Sequence, residues 1–104
     1  MVTVNEFLQE QDDFFEKLKE LVKSKQTEYT RGVSAFHNFT KAKALSFHNS
    51  EPKVAWEYCV KHLQSVKDLL NDNDNNTVDP KLVDEKIGDI IVYMTLIRSM
   101  LINK

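Results

Sequence analysis

The scarcity of glycine and proline is the feature that most limits how this chain can fold. Only two residues of each type occur among 104. A β-sandwich or β-barrel needs turn residues about every eight to twelve positions, and this chain does not supply them. The sequence therefore predicts an all-α fold, a bundle of three long helices and one short helical segment in a single domain over residues 1–104.

Charge and cysteine content limit the class of function. The chain has 14 Lys and Arg against 16 Asp and Glu, a net charge of −2, and its basic residues are spread along its length. This distribution does not favour a nucleic-acid partner. No apolar stretch has the length of a membrane span, and the single cysteine, Cys59, excludes an internal disulfide. We therefore expect a cytoplasmic protein without a membrane or nucleic-acid partner.

The first half of the chain predicts one long helix and one short one. The residues from Thr3 to Glu6 have the form of a capping box, Ser/Thr-x-x-Glu, and the helix is predicted over residues 4–24. Gly32 is expected to interrupt the chain, and a short helical segment follows over residues 35–45. Apolar residues recur at helical spacing in the first helix: Phe7, Phe14, Leu18 and Leu21.

The second half predicts two more long helices. Ser50, followed by a proline in the first turn, predicts the start of a helix over residues 50–70. A polar linker follows over residues 71–77, because Asn and Asp side chains that bond their own backbone compete with helix formation. Asp79 as N-cap, with proline at the next position, predicts the start of the last helix, residues 80–102.

The last helix carries apolar residues on nearly all of its sides. A helix of this kind must be buried nearly all round, and three partner segments in so short a chain do not easily surround it. We therefore expect a homodimer whose interface includes part of this helix and part of the first helix. The apolar residues include Leu82, Ile87, Ile90, Ile91, Val92, Met94, Leu96, Ile97, Met100 and Leu101.

Two carboxylates on this apolar helix are candidates for a site. Glu85 and Asp89 lie four residues apart on one helix face, and Tyr93 continues that face. Partly desolvated carboxylates require a cation or hydrogen-bond donors. The sequence leaves three possible partners for these carboxylates: Lys61 or His62 of the preceding helix, a divalent metal ion, or solvent. A buried ion pair predicts that Asp89→Ala lowers stability by roughly 3 kcal/mol.

The segment after Gly32 holds a second group of candidates. Asn38 can bind a base edge, Phe39 can stack on a ring, and Lys41 can meet a phosphate. Alternatively, Phe36 and Phe39 anchor the segment to the bundle and Asn38 caps the next turn. His62 has two readings as well, a ligand or acid–base group and a half-buried structural histidine. Cys59 is expected in the core.

Three blocks of the sequence carry a resemblance to a known family. They are AFHNFTKA at residues 35–42, KHLQSVKDLL at residues 61–70 and DEKIGDIIVYMTLIRSML at residues 84–101. Their order and spacing resemble a group of small phage and prophage proteins, which is similar to a divergent branch of the all-α MazG-like nucleoside triphosphate pyrophosphatase superfamily. The blocks lie within the last two thirds of the chain.

The resemblance implies a MazG-like bundle that binds a nucleotide and uses Mg²⁺ held by helical carboxylates. Glu85 and Asp89 match the second carboxylate set of the superfamily, at a spacing of four instead of three. The first set is missing, since Lys61 and His62 stand near the positions of its paired glutamates. The implied catalytic residues are Glu85, Asp89 and His62; the implied metal ligands are Glu85 and Asp89; the implied ligand-binding residues are Asn38, Phe39, Lys41, Lys61 and Tyr93.

Two functions follow from these observations. The first is a nucleotide-binding protein that hydrolyses a nucleoside triphosphate with Mg²⁺, as the retained pair Glu85 and Asp89 indicates. The second is a non-catalytic phage or prophage protein that binds a host component or sequesters a small molecule. The missing first carboxylate set favours the second function, and the sequence leaves both open.

Overall fold

Four helices make up the described part of the chain in the computed structural model, which covers residues 1–30 and 34–103 without the side chains of residues 26–30. No strand occurs in these ranges. The predicted all-α fold of three long helices and one short one is confirmed. The helices are α1 (Val4–Thr30), α2 (His37–Lys43), α3 (Glu51–Asn73) and α4 (Pro80–Ile102).

The helix boundaries agree with the predictions best at the last helix, which has the predicted bounds. The first helix is six residues longer than predicted, and the expected interruption at Gly32 lies outside the described residues. The third helix includes the first three residues of the predicted linker. Its last turn is closed by a backbone hydrogen bond from the Asp74 N–H to the Asn71 carbonyl.

Two of the predicted helix starts have the expected side-chain bond. Thr3 Oγ1 accepts a hydrogen bond from the Glu6 backbone N–H at 3.1 Å, and Asp79 Oδ1 accepts one from the Lys81 N–H at 3.0 Å. Such caps stabilise a helix by about 1 kcal/mol each. Ser50 is the N-cap of α3, as predicted, but its side chain forms no capping bond.

The core lies where α2 crosses the pair formed by α3 and α4. Val54 and Ala55 of α3 are fully buried, and Phe39 of α2 and Met100 of α4 pack in the same cluster. Cys59 is fully buried as well, as expected. Burial raises the pKa of the Cys59 thiol, which keeps it protonated and unreactive.

A glycine sets the contact between α1 and α4. A Cβ atom at Gly88 would lie 2.8 Å from Leu18 Cδ2 and 3.9 Å from Phe14 Cζ, so the missing side chain lets the two helices approach. Leu18 is the one buried residue among the described side chains of α1. Most of the apolar face of α1 is therefore exposed, including Phe7 and Leu8.

The most apolar helix, α4, is covered along its middle and exposed at its ends. Between Ile87 and Met100 most of its apolar side chains are buried or half-buried, whereas Leu82, Leu101 and Ile102 are exposed. The single chain thus covers α4 only in part. Within the ranges that the structure describes, no helix has both the length and the apolar content to cross a membrane.

The connection between α2 and α3 is fastened by three polar contacts. Lys43 Nζ lies 3.1 Å from Glu51 Oε1 at the start of α3. Farther along α3, Glu57 Oε2 accepts a hydrogen bond from Ser46 Oγ at 3.2 Å and lies 3.5 Å from His48 Nε2. These contacts hold the connecting loop against α3.

Candidate functional site

A cleft of about 540 Å³ opens between α1, α2 and α4. This volume falls within the range of roughly 300–1,000 Å³ typical of small-molecule sites. Its walls are mostly apolar, with a few polar groups that converge on the opening. Six of the residues predicted from the sequence line it: Asn38, Phe39, His62, Glu85, Asp89 and Tyr93.

Aromatic rings form one wall of the cleft. The ring of Tyr93 meets Phe39 edge to face at 5.9 Å between centroids, and the His62 ring lies 4.9 Å from the Tyr93 ring. Phe39 is only 6% exposed and also contacts Tyr58 at 6.1 Å. Phe39 thus anchors α2 to the bundle while its ring borders the cleft.

The position of Asn38 does not agree with the alternative prediction that it caps a helix. The N-cap of α2 is Phe36, and Asn38 lies inside the first turn. Its side chain is exposed at the edge of the cleft and forms no hydrogen bond with any described residue. The reading of Asn38 as a cap is wrong, and its amide is open to a ligand.

The two candidate carboxylates have different partners. Asp89 Oδ2 lies 3.4 Å from His62 Nδ1, and each of these side chains is 28% exposed. Glu85 is 64% exposed, and the cation near it is Lys86 of the same helix at 3.9 Å. One acid is thus paired across helices, and the other faces solvent.

The two lysines predicted for the site do not line the cleft. Lys61 precedes His62, and one residue is about 100° of rotation around a helix, so His62 facing α4 turns Lys61 away. Lys41 lies two residues beyond Phe39, on the side of α2 opposite the core. The expectation that Lys61 pairs with Glu85 or Asp89 is wrong for the described residues.

Two charged residues that the sequence reasoning missed do line the cleft. Lys25 comes from α1 and Asp84 from the first turns of α4. Lys25 stands seven residues after Leu18, two helical turns along the face that packs on α4, and this spacing is a signal that could have identified it. Asp84 is five residues before Asp89 and reaches the same opening.

The charge of the cleft is acidic. Asp84, Glu85 and Asp89 contribute three carboxylates against one lysine, Lys25. No group of three or more His, Cys, Asp or Glu side chains that could hold a metal ion occurs in the parts of the chain that are described. Mg²⁺ commonly keeps several waters and binds through one or two carboxylates together with substrate phosphates. The residues present fit an ion that arrives with a phosphate ligand, and not an ion enclosed by protein.

Tyr93 is a titratable group of the cleft with a raised pKa. Burial of its half-buried phenol raises the pKa of Tyr93, and the nearby charges of Cys59, Asp89 and Tyr58 raise it further. Within the described residues its hydroxyl forms no hydrogen bond. A neutral phenol with a free donor is thus present beside the aromatic wall.

The pKa of Tyr93 makes stability depend on pH in the alkaline range. Because the folded state keeps this proton at pH values where the unfolded chain loses it, the stabilisation is complete below the ordinary value near 10 and disappears as pH rises through the raised pKa. We expect wild type to lose more stability than Tyr93→Phe between about pH 9 and 11. Urea unfolding across this range measures the difference; parallel curves for both proteins would contradict it.

The pair of Asp89 and His62 is too exposed to contribute as much stability as a buried ion pair. With both side chains 28% exposed, we expect Asp89→Ala to lower stability by about 1 kcal/mol, instead of the roughly 3 kcal/mol of a fully buried pair. A double-mutant cycle with His62→Ala isolates the interaction. A coupling energy near zero would show that the two side chains act independently.

Comparisons with models of protein families, with curated proteins and with solved structures found no match to this chain.

Proposed function

We propose that this chain is a nucleotide-binding protein of MazG-like type, made by a phage or prophage and acting in the host cytoplasm. The observation that supports this most is the convergence on one cleft of six of the eight residues selected from the sequence. These residues form three groups, one on each of α2, α3 and α4, and spacing in the chain explains why Glu85, Asp89 and Tyr93 lie together but not why the three groups meet. The size and the aromatic wall of the cleft suit a nucleoside.

The base of the nucleotide lies against the aromatic wall in this proposal. A ring can stack beside Tyr93, and base stacking on an aromatic side chain contributes about 1–3 kcal/mol. The free amide of Asn38 can donate to and accept from the edge of a base. The Tyr93 hydroxyl, which has no partner among the described residues, is a further donor.

The phosphates face the acidic side of the cleft, so they need a cation. Glu85 and Asp89 would hold a Mg²⁺ ion that enters with the phosphates, and Lys25 would contact them directly. When bound, the ion neutralises phosphate charge and polarises the phosphoryl group that water attacks. The reaction implied by the resemblance is hydrolysis of a nucleoside triphosphate with release of pyrophosphate.

Melting temperatures in the presence of a nucleotide panel, each with and without Mg²⁺, test binding. A ligand at a hundred times its Kd stabilises the folded state by about 2.7 kcal/mol, and 1 kcal/mol corresponds to about 4–8 °C for a domain near this size. We expect a rise for at least one Mg²⁺–nucleotide and a smaller one for Asp89→Asn. Pyrophosphate release with the same panel measures catalysis.

We also propose that the protein is a homodimer. A second groove, about 340 Å³ and almost wholly apolar, lies between α1 and α4 and is lined by Phe15, Val22, Ile91 and Val92 among others. A second copy would cover this groove together with the exposed part of α1. Sedimentation at tens of micromolar should show a dimer, and a monomer at that concentration would contradict the proposal.

The second candidate function is a non-catalytic interaction protein that binds a host component. The exposed aromatic and aliphatic side chains of α1 and α3 favour it, because large apolar patches mark interaction surfaces. It becomes the leading function if no nucleotide, with or without metal, raises the melting temperature.

A further inference from the structure

The contact between α1 and α4 is a narrow ridge with open space on both sides. Its centre is the pair of Leu18 and Gly88, where a Cβ atom on Gly88 would lie 2.8 Å from Leu18 Cδ2. The cleft of about 540 Å³ lies on one side of this contact, and the apolar groove of about 340 Å³ lies on the other. Three residues line both spaces and so mark the ridge between them: Leu18, Val22 and Val92.

Helical geometry places the two spaces on opposite flanks of α1. Each residue advances a helix by about 100°, which places Leu21 and Lys25 to one side of Leu18. These two residues line the cleft and not the groove. Phe15 and Lys19 lie to the other side of Leu18, and they line the groove and not the cleft. The helix therefore rests on the ridge and overhangs an open space on each flank.

Little else fastens α1 to the other helices. Leu18 is the one buried residue among its described side chains, and the flanking Phe15 and Leu21 are 47% and 46% exposed. Among those side chains, leaving Lys23 aside, none forms a hydrogen bond or an ion pair with another helix. The connection between α2 and α3 has three such contacts. Elements with few buried apolar contacts are the ones that move at the lowest cost in free energy.

Open space beside a helix also lowers the cost of moving it. Protein interiors are close-packed, so a displaced element normally meets other atoms at once. A roll of α1 toward either flank meets open space instead, and it costs mainly dispersion contacts along the ridge. Leu18 meets Gly88 with the far end of a flexible side chain, so this contact can persist while the helix rolls.

We propose that α1 is a movable wall of the cleft, which rolls about the contact of Leu18 with Gly88. Rolling toward the groove withdraws Leu21 and Lys25 and widens the mouth of the cleft, and rolling back closes them over a ligand. The motion does not depend on what the ligand is, whereas its role in ligand entry rests on the proposed function. A second copy seated in the groove would block the opening motion, so dimerisation would hold the cleft closed.

Distances between pairs of spin labels test the motion in the ligand-free protein. One pair joins α1 to α4, Glu20→Cys with Arg98→Cys, and a matched pair joins α3 to α4, Lys67→Cys with Arg98→Cys. All three positions are exposed, and the fully buried Cys59 stays unlabelled. An excess of unlabelled protein removes distances between copies, and sedimentation identifies a concentration at which the chain is a monomer.

At that concentration the distance distribution of the α1–α4 pair should be about twice as broad as that of the α3–α4 pair, because only α1 rests on a single ridge. Equal breadth for the two pairs would overturn the proposal. The measurement uses no nucleotide, so a failure of nucleotide binding would remove the role in ligand entry and leave the motion of α1 standing.

Filling the groove tests the direction of the motion. Thr95 is exposed and lines the groove, so the indole of Thr95→Trp should occupy the space into which α1 rolls and narrow the α1–α4 distribution to the breadth of the α3–α4 pair. Met94→Trp is the matched control, because Met94 is exposed and lines neither space. It should leave the α1–α4 distribution as broad as in wild type. An equally broad distribution in Thr95→Trp would overturn rolling toward the groove.

Discussion

Replacing Phe39 with alanine should lower the free energy of unfolding by about 3–5 kcal/mol. Phe39 is 6% exposed and packs with Val54, Ala55 and Met100 in the core. It is also the one buried side chain of α2, so its loss both leaves a cavity and detaches α2 from the bundle. Because small domains have only about 5–15 kcal/mol of stability, the variant should melt far below wild type.

Phe47→Ala is the matched control. It removes the same atoms from a side chain that is fully exposed, so it should change stability by less than about 0.5 kcal/mol. Urea unfolding at low protein concentration, where self-association contributes least, measures both variants. Equal losses for Phe39→Ala and Phe47→Ala would contradict the placement of α2.

Tyr93→Ala should weaken nucleotide binding by about tenfold to a hundredfold. Its ring packs beside Phe39 and His62 in the wall of the cleft, and a stacked base loses about 1–3 kcal/mol when its aromatic partner is removed. Calorimetric titration at a temperature where the variant is folded measures the affinity directly.

Tyr93→Phe separates the ring from its hydroxyl. It keeps the stacking surface and should bind within about fivefold of wild type if stacking dominates, since a single hydrogen bond contributes about 1 kcal/mol. If Tyr93→Ala binds as tightly as wild type, the base does not lie against this wall.

The helices could be predicted because their signals are local. The Thr3 and Asp79 caps lie beside the residues they bond, and the apolar spacing of α4 is continuous over its length. The sequence predicts an end of α3 that is three residues too early, because the helix continues into the Asn- and Asp-rich segment as far as Asn73. Asn and Asp side chains compete with helix formation, but here the preceding turns of α3 already fix the backbone in helical conformation.

The site could be predicted only in part, because helix packing decides which side chains of one helix face a neighbouring helix. Glu85 and Asp89 share a face in any helix, yet Asp89 lies beside His62 of α3, whereas Glu85 is 64% exposed. His62 could be placed beside α4, whereas Lys61, one residue earlier, points away. Lys25 comes from α1, and its approach to the cleft depends on the close contact at Gly88.

The missing side chain of Gly88 helps to shape the cleft of the proposed function. Leu18 fills the space at Gly88, which brings α1 over α4 and closes one side of the cleft. Phe39 closes another side by holding α2 in place. The residues that could act on a ligand are thus held in place by apolar contacts. Because the carboxylates at the opening repel phosphates, a phosphate ligand needs a metal ion to bind there.

The most direct measurement is a titration of the ¹⁵N-labelled protein with a Mg²⁺–nucleoside triphosphate, followed by amide chemical shifts. Saturable changes should cluster at Asn38, Gly88, Asp89 and Tyr93, with little change at residues of α3 that do not line the cleft, such as Trp56 and Val60. No saturable change with any nucleotide, or changes confined to those α3 residues, would contradict a nucleotide site in the cleft.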